Sequence, residues 1–265
     1  MIPAPKVNEL INELKLLLPE RQPSPLALAR IRRESQKVLR SHVTPDEAHM
    51  ILGTVAALEF GVEEFFEHFR IAQQLSSHSN IRRNFAVMAM RCGFVREAYE
   101  ATISLMRSYP DDLGILRLAR EFSVNALQFG SFFEAEERLK RLNDKPESGV
   151  IAAARFHELK ARADQLDISP EDVLDRLEFA GAIVRNAKEP IFSTLFDIGL
   201  EGRFSYSFGV KCDTDTLCDL NFKIAELIVS TFDDTLADLF TIGCLIHRSD
   251  MSTGRLSDAR PEAQQ

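Results

Sequence analysis

The apolar side chains of this sequence recur about every 3.6 residues, almost without a break, from Val7 to about Ala187. Gly, Pro, Ser and Asp interrupt the pattern at short intervals, which is typical of amphipathic helices joined by tight turns. The pattern predicts ten helices, at about 7–18, 25–41, 45–59, 62–76, 80–92, 94–108, 112–128, 131–142, 147–166 and 170–187. We therefore expect residues 1–187 to form a helical domain.

Two of the predicted helix starts carry a recognisable cap. Thr44-Pro45 and Ser169-Pro170 each place a side-chain oxygen before a proline, at a position where the missing backbone N–H costs nothing. Glu47 follows Thr44 by three residues and completes the sequence pattern of a capping box. These residues favour helices that begin at 45 and 170.

A weak repeat runs through the middle of the helical region. The segment Gly-Phe-Val-Arg-Glu-Ala that begins at Gly93 is matched by Gly-Ser-Phe-Phe-Glu-Ala at Gly130 and, less closely, by Gly-Val-Glu-Glu-Phe-Phe at Gly61. The offsets are 32 and 37 residues, and each glycine is predicted to lie between two helices. A period of this length indicates stacked helical hairpins.

The best unit, residues 79–110, resembles the tetratricopeptide repeat family. Four of its residues fall on the pattern of that family: Ala86, Gly93, Ala98 and Pro110. The resemblance covers about residues 45–145 and implies a solenoid in which the first helix of each pair lines a concave, partner-binding surface. The chain departs from the family because it has no tryptophan, few of the expected aromatics and an uneven spacing. An irregular helical bundle is the alternative.

After Ala187 the period changes from helical to alternating, which predicts a small β-β-α-β domain at 188–248. Its strands are expected at 191–200, 204–212 and 239–247, with a turn at Glu201-Gly202 and a helix at about 214–231. The predicted inward faces are Phe192, Phe196, Ile198 and Leu200 on the first strand, and Phe204, Tyr206, Phe208, Val210 and Cys212 on the second. Because three strands leave two open edges, we expect the sheet to dock on the helices or to form a homodimer. Residues 249–265 are polar and are predicted to be a disordered tail.

Charge divides the chain into two unlike parts. The net charge is −8, yet residues 1–145 carry 20 basic and 19 acidic side chains, whereas residues 146–265 carry 12 and 21. The acidic total disfavours nucleic acid as the main partner. Four scattered cysteines, no membrane-length apolar run and no export leader lead us to expect a soluble cytoplasmic protein without a disulfide scaffold.

Candidate chemistry is sparse. Cys212, Cys218, Cys244 and His247 fall within 36 residues, but the alternation of the strands points their side chains to different faces, which argues against a zinc site. No Ser or Cys has the glycine context of a nucleophile, and no glycine-rich phosphate loop is present. We therefore assign no catalytic residue, metal or cofactor, and we expect that the protein is not an enzyme. A hydrolase that depends on Asp213 or Asp215 is the least supported alternative.

Two sets of residues are candidates for partner binding. The first is a basic stripe on one face of the second helix, made by Arg30, Arg33, Lys37 and Arg40. The resemblance implies that Arg82, Arg83 and Arg91 extend it. The second is a pair of rings, Phe65 and Phe69, which could anchor a peptide or simply belong to the core between helices.

Together these observations predict a mainly α protein, with a solenoid similar to tetratricopeptide repeats and a small α/β unit after it. We expect an adaptor, chaperone-like or regulatory protein that binds a protein or peptide partner on its helical surface. A regulatory protein that binds nucleic acid or another anionic ligand through the basic stripe is the alternative. No membrane association is expected.

Overall fold

The structure, a computed structural model, describes residues 5–143, 149–198, 204–237 and 240–247. It confirms a mainly α chain with a small sheet near its C-terminus. The helices are α1 (Pro5–Leu17), α2 (Pro25–Ser41), α3 (Pro45–Leu58), α4 (Val62–Leu75), α5 (Ser79–Arg91), α6 (Val95–Ser108), α7 (Leu113–Asn125), α8 (Phe129–Arg141), α9 (Gly149–Gln165), α10 (Pro170–Asn186) and α11 (Thr214–Thr231), and the strands are β1 (Ile191–Ile198), β2 (Phe204–Val210) and β3 (Phe240–Ile246). The predicted tail, 249–265, and the predicted turn at Glu201-Gly202 lie outside the described residues.

Three antiparallel hairpins, α3–α4, α5–α6 and α7–α8, repeat with a regular period. Their first helices begin at 45, 79 and 113, so successive hairpins are offset by 34 residues each time. Each hairpin turns through one residue of left-handed backbone conformation, at Phe60 (φ 56°), Gly93 (φ 75°) and Leu127 (φ 51°). The equivalent turn positions are therefore these three residues, and the sequence alignment on Gly61 and Gly130 was wrong.

The two glycines that do not occupy the turn position, Gly61 and Gly130, lie in or next to helices. Gly61 is the N-cap of α4, whereas Gly130 lies inside the first turn of α8, so it does not separate two helices as predicted. Gly93 is the exception, because it combines the left-handed turn with a close backbone contact. A Cβ atom on Gly93 would lie 2.4 Å from the carbonyl oxygen of Gly181 in α10.

The two predicted helix caps have different outcomes. Ser169 forms a complete capping box, in which its side chain accepts from the backbone N–H of Asp172 and Asp172 accepts from the backbone of Ser169. Thr44 precedes α3 as predicted, but its side chain makes no capping bond and its hydroxyl oxygen is buried without a partner. The capping box of Thr44 and Glu47 is therefore a wrong prediction, although the helix begins at Pro45 as expected.

The sheet has the order β1-β2-β3, with β1 antiparallel and β3 parallel to β2. The inward face of β2 is confirmed, since Phe204, Tyr206, Phe208 and Val210 are all buried. Cys212 lies beyond the end of the strand. On β1 an irregularity between Ile191 and Ser193 shifts the alternation, so that both Ser193 and Thr194 are buried and Phe192 is only half-buried.

The C-terminal elements pack back onto the hairpins. Helix α10 contacts α6, and strand β1 contacts α5. Two hydrogen bonds join the sheet to the end of α7: the Tyr206 hydroxyl donates to the Asn125 carbonyl at 2.7 Å, and the Thr194 hydroxyl donates to the Asn125 side chain at 2.5 Å. One cluster of buried apolar side chains continues from α1 through the sheet. The expected docking of the sheet on the helices is thus present within the chain.

A candidate binding groove

A groove of about 690 Å³ lies at the N-terminal halves of the first helices of the hairpins. Its walls come from α1, α3 and α5, with one residue of α7. The lining residues, hereafter the groove, are Asn8, Ile11, Leu14, Lys15, Leu18, Asp46, Glu47, Met50, Ile51, Thr54, His78, Asn80, Ile81, Arg83, Asn84, Val87 and Leu118. The volume is within the range of natural binding clefts.

The buried floor of the groove is mainly apolar. Met50 and Ile51 of α3 are buried, and the Thr54 hydroxyl donates to the Met50 carbonyl at 2.9 Å, so it is satisfied within its own helix. On α5, Asn84 donates to the Asn80 carbonyl at 2.9 Å and contacts the Met50 sulfur at 3.2 Å. Val87 stands in the same helix with 43% of its surface exposed, which makes it an apolar side chain that a ligand can reach.

The charges in the groove are of both signs. The basic residues that line the groove include Lys15 of α1 and Arg83 of α5, and its acidic residues include Asp46 and Glu47 in the first turn of α3. Burial and the neighbouring Asp46 carboxylate raise the pKa of Glu47, against a smaller opposing effect from His78. A mixed lining of this kind suits a polypeptide, which carries apolar side chains and polar backbone together, better than it suits a polyanion.

The basic stripe is exposed on α2, as predicted, but it does not line the groove. Arg30 pairs with Glu13 of α1 at 2.7 Å, and Glu34 contacts Lys37 at 2.8 Å. Arg33 also lies within 3.6 Å of Glu34, and Arg40 is exposed at the C-terminal end of the helix. The acids of α1 and α2 therefore reduce the positive charge that the sequence pattern indicates.

The three arginines of α5 do not form one basic surface. Arg83 lines the groove, and Arg82 is half-buried on the same helix. Arg91 is not part of a basic patch, because its guanidinium lies 4.4 Å from the centre of the Phe192 ring and donates to the Glu20 carbonyl. The extension of the stripe through Arg91 was therefore a wrong expectation.

Phe65 and Phe69 are core residues and cannot anchor a partner. Both are buried almost completely, and their rings pack with Phe85 at 5.4 and 5.5 Å between centroids. Phe65 also stacks on Phe94, next to the α5–α6 turn. These rings join one hairpin to the next, so their proposed role in partner binding is corrected to a structural one.

The remaining reactive groups lie apart from the groove. Burial raises the pKa of Cys92 and of Cys244 to about 12, which keeps both as thiols. The hydroxyl of Ser193, on β1, lies 2.9 Å from Nδ1 of His247, the residue after β3. Among the described residues, no group of three or more His, Cys, Asp or Glu side chains is arranged to hold a metal ion.

Of the residues that the sequence indicates as binding candidates, only Arg83 lines the groove. The other residues of the groove come from helices far apart in the chain, so no local pattern joins them. Val87 could not be singled out from the sequence either, because its exposure between the buried Ala86 and Met88 is visible only in the structure, and single exposed apolar residues are common.

No family model, curated protein or solved structure matches this chain. Within the described residues, no helix combines the length and the apolar character that crossing a bilayer requires.

Proposed function

We propose that this chain is a non-catalytic adaptor, chaperone-like or regulatory protein that holds a segment of a partner polypeptide in the groove. The observation that carries the proposal is the groove itself: about 690 Å³, apolar at its floor, polar at its rim and built from successive repeat helices. Stacked hairpins are known to bind polypeptides on such surfaces. The resemblance to tetratricopeptide repeats supports the same function, and the 34-residue offset of the hairpins supports the resemblance.

The groove is a better candidate than the basic stripe. Binding to phosphates rests on positive charge, whereas Glu13 and Glu34 lie against Arg30 and Lys37 and reduce the positive charge of the stripe. The groove in turn offers Val87 and Leu118 with Asn84 and Arg83 beside them. We therefore place the partner in the groove and expect it to be a protein in the cytoplasm.

The test compares two matched substitutions in the full chain during affinity capture from the host. Val87→Glu places a charge in the groove, and Leu26→Glu places the same charge on α2, where Leu26 is 82% exposed and outside the groove. We expect the same partner proteins to be retained by the wild type and by Leu26→Glu, and to be lost with Val87→Glu. Retention of every partner by Val87→Glu contradicts the proposal.

A salt series separates the proposed function from the alternative. Binding to nucleic acid loses orders of magnitude in affinity between about 50 and 200 mM salt. Because the floor of the groove is apolar, we expect the captured proteins to remain bound across that range. Capture of nucleic acid that is lost in salt and is abolished by Arg30→Ala with Arg33→Ala favours the basic stripe instead.

A further inference from the structure

Helix α1, which belongs to none of the three hairpins, covers part of α3. It contacts α3 and α2 and forms one wall of the groove. Val7, Leu10 and Leu14, spaced at i, i+3 and i+7, are its buried side chains, and Leu16 on the opposite face is 76% exposed. Ile11 and Leu17 also pack against the core, so α1 is an amphipathic helix whose apolar face is buried on the neighbouring helices.

The surface beneath α1 requires a cover. Nine consecutive residues of α3, from Met50 to Leu58, are all buried, so this helix is apolar on every face. A helix of that kind is stable only when it is surrounded. In the absence of α1, α3 would present an apolar face to solvent, and another amphipathic helix could take that place.

The linker between α1 and α2 has its own anchors. It has seven residues, 18–24, and three of them are bonded to α5 or to residues that follow α10. Lys211 donates to the Pro19 carbonyl at 2.5 Å, Arg91 donates to the Glu20 carbonyl at 2.9 Å, and Arg21 forms two hydrogen bonds with Glu189. The linker is thus held in place independently of α1.

Outside its apolar stripe, α1 is held by ion pairs that reach solvent. Glu13 pairs with Arg30 at 2.7 Å, and Lys6 lies 3.7 Å from Glu34. Exposed pairs of this kind contribute little to stability. The apolar stripe therefore provides most of the attachment of α1, whereas the linker is held by its own bonds to Lys211, Arg91 and Glu189.

We propose that α1 occupies, within the chain, the position of a partner helix, and that the partner is an amphipathic helix with large apolar side chains at i, i+3 and i+7. This inference rests on the proposed function and specifies its ligand. Because the partner and α1 compete for one surface, the apparent affinity is reduced by the fraction of molecules in which α1 is seated. Binding therefore releases α1 to solvent.

The first test uses a fluorescent synthetic peptide with the sequence of residues 5–18 and the full-length protein. Leu10→Asp weakens the seated stripe, and Leu16→Asp places the same charge on the exposed face of the same helix. We expect Leu10→Asp to bind the peptide at least about tenfold more tightly than the wild type, since more of its surface is free, and Leu16→Asp to bind as the wild type does. Equal binding by all three proteins overturns the inference.

A second test needs no substitution. Backbone hydrogen exchange of the wild type should be faster in residues 5–17 than in α3, because α1 opens alone while α3 opens only with the hairpins. Equal protection of α1 and α3 overturns the inference, since α1 would then leave only on global unfolding.

The two proposals fail in distinguishable ways. If partner capture is lost with Val87→Glu but is equal for the wild type and Leu10→Asp, the partner binds beside a permanently seated α1. That result overturns the competition and leaves the proposed function standing. If Val87→Glu retains every partner, the proposed function itself fails.

Discussion

The two ends of the stacked hairpins differ in how much of their surface is covered. At their N-terminal halves, α3 and α5 line an open groove with a half-exposed Val87. At the other end of the hairpins, β1 contacts α5 and α10 contacts α6, and Gly93 in the α5–α6 turn lies directly against Gly181 of α10. One end of the hairpins is therefore packed against the C-terminal elements, whereas apolar surface remains accessible at the other end.

Polar contacts also join α10 to the α5–α6 hairpin at the covered end. The backbone N–H of Arg96 donates to Glu178 at 3.0 Å, and its guanidinium bonds to Glu171 and Asp175. Arg185 donates to the Gly93 carbonyl at 2.9 Å and lies over the Phe94 ring. Directional bonds of this kind specify one arrangement of α10 on α6, which an apolar contact alone would not.

The largest expected effect comes from the closest contact at the covered end. In Gly181→Ala the new Cβ atom would lie 2.4 Å from the Gly93 carbonyl oxygen. Because that atom belongs to the backbone and cannot rotate away, we expect the free energy of unfolding to fall by about 3 kcal/mol, the upper part of the range for overpacking.

Urea unfolding measures this effect, and Gly130→Ala is the matched control. No atom lies within 4 Å of a Cβ on Gly130, which is in the first turn of α8. Since alanine favours helix over glycine, the control should be unchanged or more stable by up to about 1 kcal/mol. A Gly181→Ala protein as stable as the wild type would show that α10 does not pack tightly on the hairpin.

A smaller loss is expected from the ion pair that fixes the α1–α2 linker. Glu189 is buried and accepts two hydrogen bonds from Arg21. In Glu189→Gln one charged acceptor is lost, and we expect a loss of about 1.5 kcal/mol, the low end for bonds to charged groups, because Arg21 still reaches solvent.

The control for this pair is Glu67→Gln, which breaks an equally bidentate pair with Arg70 on the exposed face of α4. Its unfolding midpoint should not change measurably. If both substitutions shift the midpoint equally, burial at Glu189 has no special role, and the linker is not anchored as described.

A pair of histidines between α3 and α4 should make the stability of the protein depend on pH. Nδ1 of His49 on α3 and Nδ1 of His68 on α4 lie 2.9 Å apart, so at most one of them carries a proton there. Burial lowers the pKa of both imidazoles; the positive neighbours lower that of His68 further, and Glu64 and Glu67 oppose this. Since the unfolded chain takes up these protons first, stability should be complete above about pH 6.5 and should decrease as the pH falls below it.

Thermal unfolding at a series of pH values tests the histidine pair. The double variant His49→Gln with His68→Gln should lose less stability than the wild type between about pH 7 and 5. A wild type whose midpoint rises as the pH falls through that range would contradict the arrangement.

The smallest expected change affects association and leaves folding intact. Phe222 is 70% exposed on α11 and lies near Val229 on the same outer face, while β3 is an edge strand of the sheet. We still expect self-association through residues 191–247, because such apolar surface favours contact between copies. In sedimentation at micromolar concentration, Phe222→Lys should be monomeric, and Leu26→Lys on exposed α2 should associate as the wild type does. A monomeric wild type contradicts this expectation.

The elements of the fold could be predicted from the sequence because each helix carries its own apolar stripe. All ten predicted helices of the first region are present, with ends that differ by a few residues. The repeat was harder to place, since two of its three turns use Phe60 and Leu127 in a conformation that usually favours glycine. A search for glycines therefore found the wrong offsets.

The groove could not be predicted, because its residues come from α1, α3, α5 and α7 and meet only after the hairpins stack. Phe65 and Phe69 were candidates for partner binding, but both belong to the core. Large rings at repeat junctions are needed to fill the space between hairpins, and sequence alone does not separate that role from partner binding.

The most direct test of the groove is photo-crosslinking in the host, with a benzophenone side chain introduced at Val87 or, as the matched position, at Leu26, which is 82% exposed on α2. We predict that the probe at 87 forms an adduct with another polypeptide and that the Leu10→Asp substitution increases its yield. Adducts with polypeptide from position 26 only, or with nucleic acid from position 87, would contradict the assignment of the groove as the partner-binding site.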